Sequence, residues 1–477
     1  MSADENSLIL SKSLSLIEKT RRRVLRIDGA DFPTSSSEEA RTLLLGALNA
    51  LAHKGHWPSM SPEALYNALI QIQSLVEEVE ESTSDRISWP LVSYCDHIWK
   101  QFFPAGDDTI FYSLTTLHNY TISSFTNRLA NRLYHVLPNS EVEAIIGKKR
   151  LYCLQLASLE DENLPLYANI GHEFGHALWW SEEATLLGLL RKECNAIIQG
   201  VFRHLHASDA ALAAKRTQRT LWIIRAVAIE LFCDLVGAHI AGPAFLLSLQ
   251  EMGWGTNQDT WSATLVPKDE GIRGYPSFKF RLAAVKKWVG IDVFGTGVRR
   301  VFQELFDDPL KELSTYLSSI ETDHSADRVR VSAIPDSDAD RKAIEGALVA
   351  NLVELKAALD RFLAKCKSDF LPKYQGFSSF VPVSDEDVSH LLRRLASDVL
   401  PNIIPDGTLL GNPAGFATIL NASALYRCNL LLKRDQKKGT EEVFREHQKL
   451  ERLTAKALEV SYIQKQFNDW KARGATP

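Results

Sequence analysis

Between Arg219 and Gly242 the chain reads RTLWIIRAVAIELFCDLVGAHIAG, a run that is apolar on nearly every helical face. A helix of that kind either crosses a membrane or is buried inside the protein. The membrane option fails, because Leu221 to Phe245 is interrupted by Arg225, Glu230, Asp234 and His239. The run therefore predicts a buried helix that carries Glu230 and Asp234 one turn apart on a shared face. Burying two carboxylates costs on the order of several kcal/mol unless each gains a partner. Two kinds of partner are available. One is an arginine such as Arg225. The other is a metal on Glu230, with a metal-held histidine donating its free N–H to Asp234.

Upstream stands Gly171-His172-Glu173-Phe174-Gly175-His176. The apolar residues Ile170, Phe174, Ala177, Leu178 and Trp179 predict a helix here. Two histidines one turn apart then project from one face and can reach the same Zn2+. Glu173 lies about 100° around the axis from His172 and about 60° from His176. That position suits a general base that touches water at the metal without ligating it. In the alternative reading both histidines are core residues hydrogen-bonded to backbone.

A catalytic zinc takes three protein ligands and keeps one position open. Glu230, on the apolar helix, is the candidate third ligand, and one zinc site would account for four polar residues in apolar surroundings. His239, nine positions further on, faces about 180° away from Glu230. Cys233, about 60° from Glu230, is not excluded by geometry but reads as a packed core thiol. His204 and His206 match no ligand spacing and read as surface residues.

HEFGH followed by ExxxDxxG, Glu230 to Gly237, resembles the zincin metallopeptidases that use glutamate as third ligand, the gluzincin-like branch. Thermolysin-like enzymes and soluble-domain relatives of the prenyl-protein and heat-shock membrane proteases share this layout. The likeness covers about residues 150 to 245. It implies zinc on His172, His176 and Glu230, Asp234 behind a histidine, and hydrolysis of peptide bonds in a protein or peptide substrate. Ile229 stands where thermolysin-like enzymes have Asn, and the 54 positions from His176 to Glu230 exceed their spacing. Such enzymes also need a donor for the developing oxyanion. Within RGYPSFKFR, Gly274 and Pro276 predict a loop, and the Tyr275 hydroxyl is the candidate donor. A loop tyrosine packing its ring on a neighbouring helix is the alternative, and Arg281 is given no role.

With 477 residues and 45% hydrophobic content, two or three domains are expected. The predicted organisation is mainly α (α+β). A helical region at 1–105 comes first, a zincin-like core at 106–334 follows, and a C-terminal helical region occupies 335–477 behind the linker Pro335-Asp336-Ser337-Asp338. In the first region, Leu8 to Arg26 reads as a helix, and Ser36 or Ser37 is the candidate cap of the next. Ser61-Pro62-Glu63 marks a third helix start. Thr109–Thr116 and Arg150–Ala157 read as strands joined by a crossover helix over Ile122–Leu137, a small sheet beside the zinc helices. Thr440 to Trp470 reads as a charged, solvated helix.

The net charge of −5 favours no particular partner, and with no basic stripe of any length no nucleic-acid partner is expected. The short clusters Arg21-Arg22-Arg23 and Lys433 to Lys438 read as solvated surface. Six scattered cysteines without CxxC pairs point to free thiols and a reducing cytoplasm. The N-terminus has no apolar secretory region, so a soluble protein away from membranes is expected. A second reading keeps the zinc and drops the chemistry: a helical interaction or regulatory protein with a non-catalytic site. Its terminal helical regions would then bind a regulatory partner.

Overall fold

The computed structural model describes residues 3–53, 61–85, 87, 89–103, 108–115, 120–157, 164–205, 209–253, 260–265, 272–289, 295–306, 328–332, 338–374, 383–407, 411–432 and 440–472. These are mainly helical, with small sheets. Among them no helix is long and apolar enough to cross a membrane. Lys433 to Lys438, His206 and Pro335 to Ser337 lie outside the described residues. The chain divides into two compact units, Met1–Glu162 and Asn163–Pro477.

In the first unit, α1 (Ala3–Arg26), α2 (Ser35–Ala52), α3 (Pro62–Glu80) and α4 (Trp89–Phe102) precede β1 (Asp108–Thr115) and β2 (Thr121–Ser124). Helices α5 (Phe125–Leu133) and α6 (Asn139–Ile146) then lead to β3 (Arg150–Ala157). The Ser61 hydroxyl accepts from the Ala64 N–H at 3.4 Å, and Pro62 opens α3, as the Ser-Pro-Glu signal predicts. At α2 the expectation fails. Thr34 holds the cap position without a side-chain bond, and Ser36 and Ser37 fall inside the first turn.

The predicted crossover helix is also shorter at its start. Residues 121–124 pair antiparallel with β3, while β1 pairs parallel with it, giving the order β1-β3-β2. The break comes at Ser124, whose hydroxyl accepts from the Asn127 N–H at 3.2 Å and caps α5. Phe111, Leu151 and Cys153 on the strands join Leu44, Leu48, Leu69 and Val76 on α2 and α3 in one hydrophobic core. The strands thus share their core with the N-terminal helices. The expected grouping of these strands with the histidine motif is not the one the compact units show, because strand patterning alone does not say which helices cover a sheet.

In the second unit a short 3-10 helix at Leu164–Asn169 leads into the motif helix α7 (Ile170–Ser181), then α8 (Glu183–Leu205), the long α9 (Ala210–Ala241) and α10 (Pro243–Gly253). A second sheet follows, β4 (Thr260–Leu265) and β5 (Ile272–Tyr275), then α11 (Phe278–Val289), α12 (Thr296–Phe306) and β6 (Arg328–Ser332). β4 is central, antiparallel to β5 and parallel to β6. Tyr275 therefore ends a strand rather than occupying a loop, its position paired with Ser262. Gly274 made that strand hard to read from sequence, yet its missing Cβ is what lets β5 lie on α9. A Cβ there would stand 3.1 Å from the Ala226 Cβ and 3.2 Å from the Ile223 carbonyl oxygen.

The remaining helices are α13 (Asp338–Ala350), α14 (Leu352–Lys365), α15 (Asp385–Ala396), α16 (Phe416–Leu432) and α17 (Thr440–Ala472), with a two-stranded pair at Ile403–Ile404 and Asn412–Pro413. This C-terminal stretch belongs to the unit that carries the motif. Phe362 of α14 packs edge-on to Trp179 at 6.2 Å, and Phe370 packs on Phe232 of α9 at 5.9 Å. The boundary expected near 335 is therefore not a boundary between compact units, because aromatic side chains beyond it complete the core behind the motif.

Candidate metal centre

α7 and α9 pack antiparallel. Gly171 faces Gly237, and Gly175 faces Cys233. A Cβ on Gly171 would come to 3.1 Å from the Gly237 Cα, and one on Gly175 to 2.6 Å from the Cys233 Cα. Glycine at both positions of α7 lets the two backbones approach closely. His172 and His176 flank Gly175, so the close contact carries both imidazoles against the turn of α9 that bears Glu230 and Asp234.

The donor atoms then converge. His172 Nε2 lies 3.5 Å from Glu230 Oε2, and His176 Nε2 lies 3.9 Å from Glu230 Oε1. The imidazole rings stand at 80° to one another with centroids 5.1 Å apart. On its other side, His172 Nδ1 donates to Asp234 Oδ1 at 2.9 Å. Asp234 is fully buried, and Arg281 of α11 grips it twice, Nε to Oδ2 at 2.8 Å and Nη2 to Oδ1 at 2.7 Å. Arg225 is engaged elsewhere, with Glu183. The arginine that compensates the buried carboxylate is thus Arg281. Sequence reasoning missed it because it lies 47 positions downstream of Asp234, on another helix. The signal was there: an arginine within the apolar run FKFRLAAV needs an anion as much as Asp234 needs a cation.

The electrostatics follow from these contacts. Burial pulls the His172 imidazole down, but the Asp234 and Glu230 carboxylates outweigh it and raise its pKa to about 10. Burial lowers His176 to about 4, with the neighbouring His172 charge adding to the effect. Burial alone would raise Glu230 and Asp234. Net lowering comes from His172 at Glu230, and from Arg281 together with His172 at Asp234. Asp234 thus faces both Arg281 and His172, and Glu230 faces both imidazoles.

Two imidazoles and a carboxylate are donor types that zinc takes. Two ligand atoms at tetrahedral angle around one zinc, each about 2.0–2.1 Å from it, are about 3.3 Å apart. The 3.5 and 3.9 Å separations approach that value. They are long for hydrogen bonds. Among the described residues, the three side chains whose ligand atoms all lie within 4.8 Å of one another are His172, His176 and Cys233, a group that does not include Glu230. Burial holds the Cys233 thiol well above the ordinary value.

Glu173 is half-buried on α7. Trp180, one turn beyond His176, stacks on the His176 ring at 26° with centroids 6.0 Å apart. His239 is exposed on α9, on the side away from the histidine pair. Tyr275 is 44% exposed. No protein-family model, curated protein or solved structure matches this chain.

Proposed function

We propose that this chain is a zinc-dependent peptidase in which His172, His176 and Glu230 hold the metal and Glu173 moves the proton. The observation that carries the reading is the convergence of both Nε2 atoms on the two oxygens of one carboxylate, at 3.5 and 3.9 Å. Zinc bound there would supply a Lewis acid that polarises a peptide carbonyl and makes water a better nucleophile. Glu173 accepts the proton of the attacking water and returns it to the leaving amine. Asp234 fixes His172 with the proton on Nδ1, which leaves Nε2 free to ligate. Arg281 holds Asp234 in place and offsets its buried charge. The Tyr275 hydroxyl is the donor proposed for the oxyanion, on a strand that packs on α9 one turn before Glu230.

A second reading, a closed zinc centre without chemistry, draws on Cys233. If the thiol joined the two histidines and Glu230, four protein ligands would leave no open position, as in structural sites. Elemental mass spectrometry on wild type and His172→Ala, beside a peptide-hydrolysis screen with Glu173→Gln as control, decides the matter. The peptidase reading expects about one zinc per chain, lost in His172→Ala, and hydrolysis lost in Glu173→Gln. Zinc with no hydrolysis supports the closed centre, and no zinc in wild type overturns both.

A further inference from the structure

We infer that Trp180 is the specificity-determining wall of this site and selects peptides with an aromatic side chain next to the cleaved bond. The inference rests on the peptidase reading above. α7 carries two adjacent tryptophans with opposite fates. Trp179 is fully buried and packs on Phe232 and Phe362, completing the core side of the helix. Trp180 is 38% exposed and lies against His176. The core of α7 is thus filled without it.

The helical geometry places Trp180 where a substrate side chain would arrive. It is four residues beyond His176 and seven beyond Glu173, about 40° and about 20° away around the axis. The proton acceptor, the ligand imidazole and the indole therefore form one stripe on α7, rising about 6 Å from His176 to Trp180. That is on the scale of the distance from a peptide carbonyl to the ring of an adjoining aromatic residue. Trp222 and Tyr275 are also exposed aromatics of this unit, but among the described residues Trp180 is the one stacked on a candidate ligand. An aromatic partner gains from offset or edge-on contact with the indole beyond what an aliphatic chain gains by burial, a preference of roughly two- to tenfold.

The test measures binding, so it does not depend on finding a substrate. Zinc-loaded protein is titrated calorimetrically with L-phenylalanine hydroxamate and L-alanine hydroxamate, and zinc per chain is measured on the same samples. The expected result is tighter binding of the phenylalanine probe by roughly two- to tenfold. That preference should vanish in Trp180→Ala and persist in Trp180→Phe, with zinc content unchanged in both. Equal affinities in wild type, or a preference that survives Trp180→Ala, overturn the inference while leaving the zinc site standing. Zinc-loaded protein that binds neither probe overturns it too. Absence of zinc from wild type is a different failure: it removes the peptidase reading itself, and this inference with it.

Discussion

Gly175 meets the Cys233 backbone across the α7–α9 interface so closely that a Cβ on the glycine would stand 2.6 Å from the Cys233 Cα. Neither helix can yield without moving a histidine or Glu230, because all three are fixed to the same two turns. Gly175→Ala should therefore force the helices apart. The expected loss is about 1–3 kcal/mol of stability, the range for overpacking a filled core. Urea unfolding checks the loss, and metal content measured alongside should fall as the donors separate. A variant as stable as wild type would mean that the interface is looser than these distances.

The buried pair of Arg281 and Asp234 leads to a second expectation. Removing one partner strands the other charge in the interior, so Arg281→Ala should destabilise the protein by about 3–5 kcal/mol. Asp234→Asn is milder for folding but weakens the hold on His172. Zinc affinity should then drop by roughly 10–100-fold, the usual effect of losing a carboxylate behind a ligand histidine. Competition with a chromophoric chelator measures it. Unchanged affinity would remove Asp234 from the metal centre.

Glu230 and Cys233 compete for the role of third ligand, and substitution separates them. Glu230→Ala should abolish stoichiometric zinc binding, whereas Cys233→Ser should keep about one zinc per chain. The reverse pattern would assign the site to two histidines and a thiolate.

Chelation should strip the metal without unfolding the chain. The groups left behind already have partners, Asp234 facing Arg281 and His172, and Glu230 facing both imidazoles. Far-ultraviolet circular dichroism should be unchanged after chelation, while the melting temperature falls on the order of 5–10 °C as the binding contribution is lost. Full unfolding on chelation would point to a site on which the fold itself depends.

If the Tyr275 hydroxyl stabilises the oxyanion, Tyr275→Phe should lower kcat by roughly 10²–10³-fold with little change in stability, given its exposure. Steady-state kinetics on any peptide found in the hydrolysis screen tests this. A turnover equal to wild type would move the role to another donor.

The sequence by itself determined the chemistry available. HEFGH sets two imidazoles and a carboxylate on one helix by a period of 3.6 residues, and the apolar run around Glu230 and Asp234 demands that those carboxylates find partners. Such local facts follow from helical geometry and from the cost of burying charge. Local patterning also located the Ser61 cap, β1, β3 and the helices α1, α2, α3, α7, α9 and α17. Only the tertiary structure decided which partners met. It brought Arg281 to Asp234 across 47 positions, placed Tyr275 at the end of a strand, and packed Phe362 and Phe370 behind the motif. It also joined the β1–β3 sheet to the core of the N-terminal helices. None of these is periodic in the sequence. Each depends on which surfaces pack together, and a contact between distant segments leaves no local pattern beyond the unmet need of each side chain.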